Sequence, residues 1–120
     1  MAEDRDEQRS DAAGDAVLLF IIVSDPGALD RLITLLLDMG VTGATVIESK
    51  GMGAIIREEM PIFSGLAPLL PARTGSRVIV SVTNSARAGD MLEALEREFK
   101  ERERPIAFTT PIVHSLGVRV

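Results

Sequence analysis

The chain has 120 residues, is 46% apolar, carries a formal charge of −5 and lacks cysteine, tryptophan and tyrosine. That length suits one domain around one core, and the absence of cysteine excludes disulfides, thiolate nucleophiles and Cys-ligated metal. Glu3, Asp4, Asp6, Glu7, Asp11 and Asp15 against Arg5 and Arg9 put −4 of the charge in residues 1–15, so the nearly neutral remainder offers no basic footprint for nucleic acid and no indole or phenol for stacking bases.

Residues 1–15 combine charge with Ser, Ala and Gly and show no apolar period, which predicts a disordered acidic tail ahead of a domain over 16–120. The tail lacks the positive n-region of a signal peptide. The longest apolar run, Ala16 to Val23, is far short of the roughly 20 residues that span a bilayer. These features give a cytoplasmic protein without membrane insertion as the expectation.

The run AVLLFIIV at 16–23 lacks alternation and reads as a strand buried on both faces. Asp25 then has the chemistry of an N-cap and Pro26 that of a first helical residue. Leu29, Leu32, Ile33, Leu36 and Leu37 form the apolar stripe of a helix that Gly40 closes. ATVIES at 44–49 and RVIVSVT at 77–83 read as strands. The connection over about 54–76 holds Pro61, Pro68, Pro71, Gly65 and Gly75 and is long enough to be functional. Ser85 is placed to cap a second helix with Ala88, Met91, Leu92, Leu95 and Phe99 inward. Pro105 stops it before a last strand in IAFTTPIV at 106–113.

The order β, α, β, connection, β, α, β is the split βαβ arrangement: an α+β, ferredoxin-like sandwich with a four-stranded antiparallel sheet and two helices on one face. A first strand apolar at every position must turn half its side chains away from those helices. Self-association is the simplest way to bury them.

Residues 40–53 read GVTGATVIESKGMG. This closely resembles the segment after the first helix of PII nitrogen-regulatory signalling proteins, through Gly40, Gly43, Thr45, Val46, Glu48, Lys50, Gly51 and Gly53 at matching spacing. The resemblance implies a homotrimeric regulatory protein. Its clefts between subunits would bind an adenine nucleotide or related anion through Lys50, Gly51, Met52 and Gly53 of one chain and Gly43, Ala44 and Thr45 of its neighbour. It also implies that residues 54–76 are the long loop that engages a partner protein, a membrane transporter among the candidates. No cofactor is required.

The chain departs from that pattern in several places. Where the resemblance calls for a phosphate-cradling T-G-x-x-G-D-G-K loop, it reads FKERERPIAF, leaving Lys100, Arg102 and Arg104 to meet an anion or to complement a helix end. Only Arg119 stands for a C-terminal arginine pair. The glutamine associated with 2-oxoglutarate and Mg²⁺ is replaced by Ala54, Ile55 and Ile56, and no tyrosine is available for uridylylation. The implied protein is a divergent PII-like regulator with an altered ligand. A ligand-free interaction trimer and a metal-binding trimer of the same fold are the alternatives.

Catalysis finds little support. His114 is the only histidine, and Glu58 and Glu59 are consecutive, so they are expected to diverge and not to pair as acid and base. With no cysteine and a single histidine, no Cys or His pair at metal-ligand spacing is present. The expectation is a binding protein, not an enzyme.

Overall fold

The computed structural model describes residues 15–69 and 76–120. Apart from Asp15, the acidic segment expected to be disordered lies outside the described residues, as does the stretch 70–75 of the long connection.

The elements run β1 (Ala16–Val23), α1 (Ala28–Asp38), β2 (Ala44–Ser49), α2 (Met52–Glu59), a 3₁₀ segment (Pro61–Leu69), β3 (Ser76–Asn84), α3 (Ser85–Glu98) and β4 (Ile106–Pro111). The sheet order is β2-β3-β1-β4, and every neighbouring pair is antiparallel. Strands β1 and β2 therefore run the same way with β3 inserted between them, as the split βαβ pattern requires. The ferredoxin-like α+β architecture is the expected one, with α2 as an additional helix.

Register sorts the side chains. Leu19, Ile21 and Val23 of β1 are buried, as is Ile79 of β3, and they form the core with Leu32 and Leu36 of α1, Met91 and Leu95 of α3, Val41 and Phe99. Each such fully buried side chain contributes about 1.5–3 kcal/mol relative to exposure. The alternate residues Leu18, Phe20 and Ile22 lie opposite Val82, Val80 and Val78 on the other face, which none of the described helices covers. Phe20 stacks there on Phe108 of β4, ring centroids 4.9 Å apart.

The helices depart from expectation at their ends and faces. Asp25 does act at the start of α1: its Oδ1 accepts the Gly27 N–H at 3.0 Å, although regular helix begins only at Ala28. The inward stripe is Ala28, Leu32 and Leu36 with Leu29, Ile33 and Leu35 beside it, while Leu37 is 59% exposed. Gly40 ends the helix at φ +79°, with Val41 N–H donating to the Leu36 carbonyl at 2.8 Å and Gly40 N–H to that of Leu37 at 3.1 Å. This is a Schellman closure, whose left-handed residue favours glycine.

At α3 the cap is Asn84, not Ser85. Its Oδ1 accepts the Arg87 N–H at 2.7 Å, because Asn84 has extended backbone while Ser85 is already helical. Within the connection, Met52–Glu59 is α-helical and, after a break at Met60, Pro61–Leu69 forms 3₁₀ turns interrupted at Phe63. Gly53 and Ala54 are buried at the start of α2.

Candidate functional site

The end of β3 and the chain terminus build the most informative surface depression. Leu18, Gly43, Thr45, Val80, Ser81, Val82, Gly117, Val118 and Arg119 line a shallow cavity of about 350 Å³. Antiparallel pairing brings Thr45 opposite Val80, so the Thr45 side chain shares the uncovered face with Leu18 and Val82. Ala44 pairs with the buried Ser81 and packs instead toward the core.

The Ser81 hydroxyl donates to the Gly43 carbonyl at 2.9 Å, which fixes the backbone entering β2. The terminal segment reaches this place because Ile112 N–H continues the sheet by donating to the Ala16 carbonyl at 3.2 Å. Gly117 then turns at φ +77°, a conformation open to glycine at little cost. The start of β2 and the segment 117–119 thus meet at one concavity, with Thr45 and Arg119 among its lining residues. A hydroxyl and an arginine at such a lining are groups able to donate hydrogen bonds to an anion.

Of the residues anticipated as ligand contacts, Gly43 and Thr45 lie in this cavity and Lys50, Gly51, Met52 and Gly53 do not. The intervening strand β2 separates the two groups by roughly 20 Å at about 3.3 Å per residue. Gly51 is the N-cap of α2 at φ −74°, and positive φ is found, among the described residues, only at Gly40 and Gly117. A Cβ built on Gly43 or Gly51 would touch nothing within 4 Å. Neither position needs glycine for packing inside the chain. Met52 is 68% exposed.

Lys50 is engaged by its own chain. Its Nζ lies 2.9 Å from Glu58 Oε2 and 3.4 Å from Glu59 Oε1. Hydrogen bonds to those two carboxylates hold the lysine above its ordinary pKa. The consecutive glutamates are expected from sequence to diverge, yet both reach the ammonium because it sits beyond the side of the last helical turn, within reach of two flexible side chains.

The arginines of the α3–β4 turn are elsewhere again. Arg104 Nη2 donates to the carbonyls of Glu96 at 3.1 Å and Phe99 at 3.3 Å, where a cation complements the C-terminal dipole of α3. Arg102 is exposed in the turn before it. Next to this end, Arg31 lies 4.5 Å over the Phe99 ring and donates to the Glu98 carbonyl at 2.7 Å, tying α1 to α3.

Leu18, Ser81, Gly117 and Val118 are not anticipated by the sequence reading. Ser81 carries a signal, a hydroxyl interrupting a run of β-branched residues. Gly117 carries a weaker one, a glycine two residues before Arg119. Among the described residues no group of three or more His, Cys, Asp or Glu side chains is placed to hold a metal ion, and no helix is long and apolar enough to cross a membrane.

No family model and no curated protein matches the sequence. Solved structures do match in three dimensions. A PII-like signalling protein of Thermus thermophilus superposes with a TM-score of 0.58 at 18% identity, over 85% of this chain and 90% of its own. CPII, a nitrogen regulatory PII-like protein from Thiomonas intermedia bound to ADP, AMP and bicarbonate, gives 0.57 at 18% over 88% and 96%. Arabidopsis thaliana PII bound to citrate gives 0.57 at 15% over 82% and 78%. The fold of this chain is thus the fold seen in PII-like signalling proteins, at a sequence identity of 15–18% to these three.

Proposed function

We propose that the protein is a PII-like regulator that binds an adenine nucleotide or a small related anion between subunits of a homotrimer and changes nothing covalently. The observation that carries this reading is the cavity that gathers Gly43, Thr45, Gly117 and Arg119 at the rim of an uncovered apolar sheet face. In the trimer, the Gly43–Thr45 wall of one subunit faces the Lys50–Gly53 turn of the next, which accounts for their separation within one chain. Structures of the same fold hold ADP, AMP and bicarbonate in one case and citrate in another, all of them anions. The helical segment 52–69, with Ile62 and Leu69 more than three-quarters exposed, is the surface offered to a partner protein in the cytoplasm.

Sedimentation and isothermal titration with ADP, AMP, ATP and bicarbonate test the reading together. The expected outcome is a trimer that binds at least one of these without consuming it. Gly43→Val and Gly51→Val should keep the fold, since their Cβ atoms meet open space, and lose the ligand. A folded monomer that binds none of the four overturns the proposal.

A further inference from the structure

In the turn that ends β2, the one cation, Lys50, is already paired with two carboxylates of its own chain. Lys50 has three N–H donors, and the Glu58 and Glu59 carboxylates stand 2.9 and 3.4 Å from its nitrogen. One cation and two carboxylates give the cluster a net charge of −1 where Lys50 alone would give +1. An anion approaching Lys50 with α2 in place therefore meets two like charges immediately beside the ammonium. The contacts also brace the helix: Lys50 precedes the N-cap Gly51, while Glu58 and Glu59 close the last turn. Acidic side chains at a helix C-terminus oppose the macrodipole, so Lys50 neutralises the charges least favourable to the helix it holds.

We infer that Glu58 and Glu59 act as built-in competitors for Lys50, so that an anionic effector binding at Lys50 and the pinning of α2 against the end of β2 exclude each other. This rests on the effector reading above and names its internal switch. The effector takes the ammonium, the two glutamates lose their counter-ion, and α2 with the apolar 3₁₀ segment behind it is released. By linkage, whatever frees α2 tightens effector binding by the same factor. Both partners are exposed, so the coupling is modest, a few-fold in affinity per contact.

Isothermal titration of the full chain with ADP, AMP and bicarbonate, comparing wild type with the double variant E58Q/E59Q and with Lys50→Met, is the test. Hydrogen exchange of the α2 amides is read on the same samples. The expected result is several-fold tighter binding and faster α2 exchange in E58Q/E59Q, and at least tenfold weaker binding with equally fast exchange in Lys50→Met. Unchanged or weaker binding by E58Q/E59Q against a wild type that binds overturns the competition alone. No binding by any of the three overturns the effector reading and the competition with it. Glutamine preserves size and helix propensity, and circular dichroism verifies the fold of each variant.

Discussion

Single residues explain where the helices begin and end. Asn84 caps α3 because an extended residue followed by helix turns its amide oxygen onto the Arg87 N–H. Asn84→Ala should therefore cost about 1 kcal/mol, and Ser85→Ala close to nothing, as read from urea midpoints. Were Ser85→Ala the costlier change, the cap assignment would be wrong. Gly40→Ala should cost about 1–2 kcal/mol, the penalty of a side chain in left-handed backbone, because Gly40 stands at φ +79° with Arg87 Nε 3.4 Å from the place of its Cβ. Gly40 is legible from sequence as the first glycine after an apolar stripe. The choice between adjacent Asn84 and Ser85 is not, since both have capping chemistry and only the strand's last hydrogen bond decides which of them is extended.

At the scale of elements, the strands are legible because β-branched runs bounded by turns admit few other readings. Register then assigns faces that composition leaves open: Val78, Val80 and Val82 sit on the uncovered side and Ile79, Ser81 and Thr83 on the helical side. The prolines and glycines of the segment 52–69 point to a loop. It is helical because Gly51 and Gly53 occupy an N-cap and a first turn, where glycine is cheap, and Lys50 supplies a counter-charge from outside the helix.

That counter-charge gives a pH prediction. The Lys50 pKa is raised by Glu58 and Glu59, so its contribution to α2 is complete below the ordinary lysine value and is lost as pH rises through the higher folded value. Methyl chemical shifts of Ile55 and Ile56 should stay constant through neutral and mildly alkaline pH and move only in strongly alkaline solution. A transition in the range of about pH 7 to 9, below the ordinary lysine value, would show that another group holds the helix.

For the molecule as a whole, the apolar outer face of the sheet is the dominant feature. Ile106 is 63% exposed and Phe108 47%, beside the half-buried Leu18, Phe20 and Ile22. Covering such a face by other subunits predicts that Phe108→Glu, at an edge strand, shifts the sedimenting species from trimer to monomer while thermal unfolding stays cooperative. A wild-type monomer would contradict the assembly. The two-faced character of β1 makes this face visible in the sequence. The cavity at its rim is not visible there, because it depends on a terminal segment returning past the start of β1, a contact made across nearly the whole length of the chain.

Leu18, Val80 and Val82 belong both to that cavity and to the face that subunits would cover. Under the proposed function, occupancy and association would be two readings of one equilibrium, joined by mass action. Titrations at widely separated protein concentrations should return different apparent constants, the dilute sample the weaker, and saturating effector should lower the concentration at which the assembly comes apart. Under the proposed function, such a protein would report its own abundance together with that of its ligand.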